Sequence, residues 1–220
     1  MKQGVDDLKS FYEGHIKSKA PSNERLFEPV MESFARLLMD AQASKGKRAL
    51  DLGYGYGNYS LAMAEQGWSV VAVDFISKEY LQERIKGASL VGNIEILEAD
   101  LGTFAPEGTY DLVVAKDVLH FLSSSRVLSL IKELVALTET GGIHYLVIFT
   151  DIVRVNDDGQ PIILDGEAGF SSDALAEELR TAYAGWDLEI VKEEYKEKSR
   201  RNPDKFYFQS NRLTITARNI

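Results

Sequence analysis

The chain has no cysteine. That excludes disulfides, thiolate nucleophiles and cysteine-ligated zinc or iron–sulfur centres. Histidine is scarce as well: among 220 residues there are three, His15, His120 and His144. No apolar run approaches the length of a membrane span. The opening stretch, MKQGVDDLKSFYEGH, lacks the apolar core of a secretory signal. Positive charge is also short, with 25 Lys and Arg against 34 Asp and Glu, a formal net charge of −9. Nucleic acid binding usually needs a basic face, so that balance argues against such a partner. There is no internal repeat and no low-complexity tract. The expectation is a soluble, cytoplasmic chain, monomer or homodimer, with neither membrane nor metal among its partners. It is large enough to bury a substantial core as one domain.

What is present is concentrated in residues 48–74, RALDLGYGYGNYSLAMAEQGWSVVAVD. The order is an apolar strand, a glycine-rich turn, a helix, and a second apolar strand ending in an acid. Ala49 to Leu52 is the first strand, with Asp51 near its carboxyl end. Gly53, Gly55 and Gly57 fill the turn, where a bare Cα permits a tight bend and close approach to a ligand. Leu61, Ala62 and Ala64 begin the buried stripe of the helix, and Gly67 stops it. Ser69 to Val73 is the second strand and Asp74 closes it. An acid about 20 residues beyond such glycines can accept from both hydroxyls of a ribose. This is the signature of a nucleoside site in a doubly wound α/β domain.

The spacing selects among nucleosides. A dinucleotide fingerprint reads G-x-G-x-x-G and seats a pyrophosphate on the helix N-terminus. Here the pattern is D-x-G-x-G-x-G from Asp51 to Gly57, with Asn58 where the last glycine would fall. A dianionic pyrophosphate is repelled by Asp51, whereas a ligand carrying an ammonium and a sulfonium is attracted. The stretch resembles motif I of the class I methyltransferases that use S-adenosylmethionine (SAM), with Tyr54 where that family often has cysteine. The resemblance implies a Rossmann-like α/β fold of seven strands, the last antiparallel. It implies SAM as cofactor and S-adenosylhomocysteine (SAH) as product. It assigns Asp51, Gly53, Tyr54, Gly55, Gly57 and Asn58 to the cofactor turn and Asp74 to the ribose. Phe75 falls where the family packs an apolar residue on the adenine face, Asp100 where an acid reaches the adenine amino group, and Leu101 where the backbone adds a contact. A nicotinamide-dependent oxidoreductase is the distant alternative.

The flanking sequence fills out that plan. Leu8, Phe11, Tyr12 and Ile16 recur at helical spacing, and Leu26 to Ala43 reads as a longer amphipathic helix. Residues 1–47 are thus expected to form a helical extension or lid over a methyltransferase domain of residues 48–220. Lys78 to Ile85 is a helix and Ile94 to Glu98 the third strand. Tyr110 to Ala115 is the fourth, followed by Lys116, Asp117, Val118 and His120 at the end where ligands bind open α/β sheets. A helix over Ser125 to Leu137 leads to a fifth strand, Ile143 to Phe149. Residues 150–170 are the least regular segment, with a turn at Asn156-Asp157-Asp158-Gly159 and a small hairpin over Val153 to Leu164. A helix over Asp173 to Tyr183 follows, capped by Ser171 or Ser172. Asp187 to Glu194 and Phe206 to Arg218 form the last two strands, joined by the basic loop KEKSRRNPDK.

A narrower resemblance follows from GGIHYLVIF, Gly169-Phe170 before a helix and Gly185-Trp186 before a strand. These are similar to the tellurite-resistance methyltransferases. That group implies substrate-side basic residues, for which Arg200-Arg201 and Arg212 are the counterparts here; its histidine is absent. Candidate catalytic groups are His120, on the ligand side of the sheet, His15 on the lid, and Arg201; Lys116 joins the cofactor set. His144, at the opposite end of the sheet, reads as structural. Transfer from a sulfonium needs positioning and dryness more than acid–base help. The function expected is methylation of a small molecule, such as an oxyanion, thiol or carboxylate. The alternative keeps SAM binding and drops catalysis, as a regulatory or scaffold protein.

Overall fold

A computed structural model describes residues 2–3, 9–10, 13–14, 29–41, 47–156, 158–199 and 204–220. Its centre is a seven-stranded sheet. The strands are β1 (Arg48–Leu52), β2 (Ser69–Asp74), β3 (Ile94–Glu98), β4 (Tyr110–Lys116), β5 (Thr138–Arg154), β6 (Trp186–Lys198) and β7 (Phe206–Asn219). Their spatial order is β3-β2-β1-β4-β5-β7-β6. β1 to β5 are parallel. β7 runs antiparallel to both β5 and β6. The chain winds outward from β1 to β3, returns to β4, and winds the other way. The crevice therefore falls between the carboxyl ends of β1 and β4.

Side-chain alternation along the strands divides the core in two. Leu50, Leu52, Val71, Val73, Val113 and Leu146 face α4 (Ser124–Ala136) and α5 (Ser172–Ala182). Ala49, Val70, Ala72, Leu112, Val114 and Tyr145 face α1 (Glu32–Asp40), α2 (Asn58–Glu65) and α3 (Glu79–Gly87). Both faces of the inner strands are covered, which is why they read as continuous apolar runs.

Two elements differ from the sequence expectation in ways that bear on the site. α1 begins at Glu32, not Leu26, because Pro29 cannot donate a helical hydrogen bond and the N–H of Met31 donates to the Tyr59 hydroxyl at 3.1 Å. β5 continues to Arg154, past the expected end at Phe149. It does so through an irregularity between Thr150 and Val153, where Asp151 takes φ +52°. The polar Asp151 hides this continuation from a hydrophobic pattern. Its carboxylate accepts from the Ser172 N–H, the Ser172 hydroxyl and the Asn211 amide at 2.6 to 2.9 Å, which holds it well down at about 2. Residues 155–164 then turn back, with Val155 bridged to Pro161. Ile163–Leu164 pairs in parallel with Lys2–Gln3. Residues 9–10 and 13–14 are helical, as expected, while Leu8, Phe11, Tyr12 and Ile16 lie outside the described residues.

His144 anchors the far end of the sheet. Thr138 Oγ1 donates to the Leu134 carbonyl at 2.8 Å, so it accepts from His144 Nε2 at 2.8 Å. His144 Nδ1 then accepts from the Tyr183 hydroxyl at 2.7 Å. Complete burial lowers the imidazole to about 3, so it is neutral. Tyr183→Phe leaves Nδ1 unpaired, and a loss of about 1–3 kcal/mol of unfolding free energy is expected in urea titration. Ligand affinity at the other end of the sheet should not change.

Candidate active site

The glycine turn is built as its composition demands. Gly53, Gly55 and Gly57 have φ of +70°, +50° and +77°. The Gly53 N–H donates to the Val73 carbonyl at 2.7 Å, and the Leu61 N–H to the Gly57 carbonyl at 2.9 Å. A Cβ at Gly53 would lie 2.4 Å from a methyl of Val118, so the turn sits directly on the loop after β4. Behind it, Arg84 Nη1 donates to the Tyr56 carbonyl and, at 2.7 Å, to Asn58 Oδ1. Arg84 thus braces the turn from α3.

Two buried carboxylates face this turn. Asp51 is 2% exposed and accepts from the Ser60 hydroxyl. Burial, reinforced by the negative charge of Asp74, pushes it up to about 7 despite that bond. Asp74 is 6% exposed. It accepts from the N–H groups of Gly55 at 2.9 Å and Ile76 at 3.3 Å, and burial still raises it. Phe75 is half-buried beside it, Leu101 is buried, and Asp100 is exposed with Oδ1 bonded to the Gly102 N–H at 2.8 Å. Tyr54 is 5% exposed, with no partner for its hydroxyl. Residues of the N-terminal segment reach the same rim: Lys9 pairs with Glu98 at 3.3 Å, and Glu13 accepts from the Ser77 N–H at 3.3 Å.

A profile of the tellurite resistance protein TehB family matches residues 31–214. This chain belongs to the TehB family. The family lies among the class I SAM-dependent methyltransferases. A probable S-adenosyl-L-methionine-dependent methyltransferase TehB from Haemophilus influenzae is 29% identical over 143 residues, 64% of this chain and 46% of its own length. The chain thus spans about half the length of the curated relatives it matches. The crystal structure of TehB from Haemophilus influenzae superposes with a TM-score of 0.64 at 22% identity, covering 90% of this chain and 65% of that one. The N-methyltransferase NodS of Bradyrhizobium japonicum, solved with SAH, gives 0.58 at 16% identity over 96% and 97% of the two chains. At these identities the structures establish the fold.

The TehB-type sheet carries a second group of side chains past β4. His120 lies on a single turn of 3₁₀ helix (Leu119–Phe121), 2% exposed. Its ring lies 4.2 Å from that of Phe121 and 5.1 Å from that of Phe149. Its Nδ1 has no partner, and burial, with Arg154 and Lys116 nearby, lowers it to about 3. It is therefore a neutral, buried imidazole at physiological pH. Lys116 does not extend freely toward the turn; its ammonium pairs with Asp117. Arg212 bonds Glu193 at 2.7 Å and covers the ring of Tyr195 at 5.4 Å. Arg154 forms a two-pronged pair with Glu167 at 2.5 and 2.6 Å. His15, Arg200 and Arg201 lie outside the described residues.

Asp51, Asp74, Gly53, Gly55 and Gly57 thus come together as the sequence implied. Ser60 and Arg84 join them from outside the sequence expectation, and Asp117 follows β4 at the ligand end of the sheet. Ser60 has a detectable signal, since it sits in the first turn of the helix that follows the glycines. A long open groove of about 440 Å³ lined by Tyr183, Trp186, Leu188 and Ile190 belongs to the opposite end of the sheet. Among the described residues no helix is long and apolar enough to cross a membrane.

Proposed function

We propose that this chain transfers a methyl group from SAM to a small-molecule acceptor. The observation that carries the proposal is the pair of buried carboxylates, Asp51 and Asp74, aimed at a glycine turn with left-handed backbone. The donor set fits the cofactor. Asp51 would take a cationic amino-acid end, since burial makes an unpaired carboxylate there costly and an ammonium relieves that cost. Asp74, its rotamer fixed by two backbone N–H groups, would accept from a ribose diol. Phe75 would flank the base, and Leu101 and Asp100 would line its edge. When bound, SAM supplies an electrophilic methyl on a good leaving group. The residues of this chain supply orientation and exclusion of water.

Residues 1–47 are proposed to act as the lid over a domain of residues 48–220. The contacts of Lys9 with Glu98 and Glu13 with Ser77 support this, because both cross the carboxyl ends of β2 and β3. The first test is calorimetric titration with SAH, with NADH as control. Micromolar binding by the wild type is expected, with a loss of about a hundred-fold or more in Asp74→Ala. Absence of SAH binding by the wild type would defeat the proposal.

A further inference from the structure

The bonds of Asp117 go to Lys116 and Val147, and none goes to Asp51, Asp74 or the glycine turn. Asp117 follows β4 directly with φ +55°, a left-handed conformation that, glycine aside, Asp and Asn adopt most readily. Its N–H donates to the Val147 carbonyl at 2.9 Å, which ties the turn to β5. The next residue, Val118, lies against Gly53. Asp117 therefore stands between the glycine turn and β5, at the switch point of the sheet.

Its carboxylate is half satisfied. Lys116 occupies Oδ2. Oδ1 is buried and has no hydrogen-bond partner. Three phenols, Tyr59, Tyr145 and Tyr195, lie close enough to feel its charge. The Tyr59 hydroxyl accepts from Met31, that of Tyr145 is bonded to Ser33 at 2.8 Å, and that of Tyr195 donates to Glu197 at 2.8 Å. None of these bonds goes to Asp117. A buried carboxylate oxygen without a donor is expensive, and native proteins keep few of them without a use.

We propose that Asp117 contacts the methyl acceptor through Oδ1 and that the acceptor's nucleophilic atom carries a proton, as an N–H or O–H. This rests on the methyltransferase reading above and narrows its substrate class. The acceptor's lone pair forms the new C–N or C–O bond as the C–S bond breaks, its electron pair leaving on sulfur. The proton of the nucleophile passes to Asp117 Oδ1. The Lys116 ammonium on Oδ2 fixes the rotamer that keeps Oδ1 turned inward. A thiolate brings no donor and meets like charge at this oxygen, so it is not the acceptor that this geometry suits.

The test compares the wild type with Asp117→Asn, a residue that also tolerates left-handed backbone. SAH affinity is expected to agree between the two within about three-fold, since Asp117 bonds neither Asp51 nor Asp74 nor the glycine turn. The melting temperature of the variant should lie within about 3 °C of the wild type or above it. A larger drop would make the carboxylate structural and overturn the assignment. With SAH saturating, each protein is then titrated with matched probes that differ only in the proton at the reacting atom: phenol and anisole, catechol and veratrole, imidazole and 1-methylimidazole. In at least one pair the wild type should prefer the protic member by about ten-fold or more, and Asp117→Asn should lose that preference. Equal binding within every pair, or a preference kept by the variant, overturns the inference while SAH binding still stands. Failure of the wild type to bind SAH strikes the methyltransferase reading instead.

Discussion

Asp51→Asn is expected to produce a ligand-free protein that melts about 5 °C or more above the wild type at pH 8 and binds SAH about a hundred-fold more weakly. The two effects have one origin. Asp51 is completely buried, has one hydroxyl donor, and faces a second buried carboxylate. Its ionisation is displaced from the ordinary range to about 7. Between about pH 4 and pH 7 the folded protein therefore holds a proton that the unfolded chain has released. Stability falls as pH rises through that window, and above it the cost is complete, on the order of 4 kcal/mol before any relaxation of the site. Asparagine keeps an oxygen for the Ser60 hydroxyl and never ionises. Its advantage should shrink as pH falls toward 4 and vanish below that. His120 and His144, both lowered to about 3 by burial, act in the opposite sense: their contribution is lost as pH falls below about 6.5. Melting curves from pH 4 to pH 9 separate the two trends. In the wild type, SAH affinity should rise with pH through about 7, because the ionised form of Asp51 is the one that attracts an ammonium. In the asparagine variant that pH dependence should disappear. A variant no more stable than the wild type at pH 8 would show that the carboxylate is better solvated than its burial indicates.

The second large effect is expected at Gly53→Ala, with a loss of about 3 kcal/mol of unfolding free energy and no measurable SAH binding. Two costs combine. A φ of +70° is unfavourable for alanine, and the new methyl would meet the Val118 side chain, including its Cβ at 2.6 Å, which cannot swing aside. Val118→Ala in the same chain removes the contacts with the two γ-methyls but keeps the Cβ at 2.6 Å, so it should recover less than half of the loss. Gly67→Ala is the matching control. Its φ of +83° imposes the backbone cost, but nothing lies within 4 Å of the added carbon. It should cost about 1–2 kcal/mol and leave binding intact. Urea titrations of the four proteins measure both contributions. Equal losses at Gly53 and Gly67 would mean that the loop after β4 yields and does not brace the turn.

Much of this architecture is legible in local sequence because local sequence determines it. Continuous apolar runs in β1 and β2, three glycines in one turn and an acid at each strand end leave little freedom over residues 48–74. The start of α1 is different. Pro29 permits a helix beginning just after it or well beyond it, and the hydroxyl of Tyr59, 28 residues away, decides. The continuation of β5 past Asp151 depends on donors from Ser172 and Asn211, which arrive from α5 and β7. Asp117 was visible as an acid beyond β4. Its significance lies in which bonds the surrounding tyrosines have already made, and no spacing rule encodes that. The glycine turn can thus be read in the sequence, whereas the wall opposite it is assembled from strands distant in the chain.

The position of β7 also bears on how the chain is made. Synthesis delivers β5, then α5, then β6, and only afterwards the strand that lies between β5 and β6. Until residues 206–219 emerge, a nascent chain carries two long strands with open edges and no means of joining them to each other in the native order. Such edges recruit strands from other chains. The many charged residues of β6, among them Glu189, Lys192, Glu193, Glu194, Lys196 and Glu197, then do more than keep the finished outer edge soluble. They protect a half-built sheet while it waits for its last strand. A stop codon just before residue 206 would consequently yield an aggregating product, not a smaller folded one.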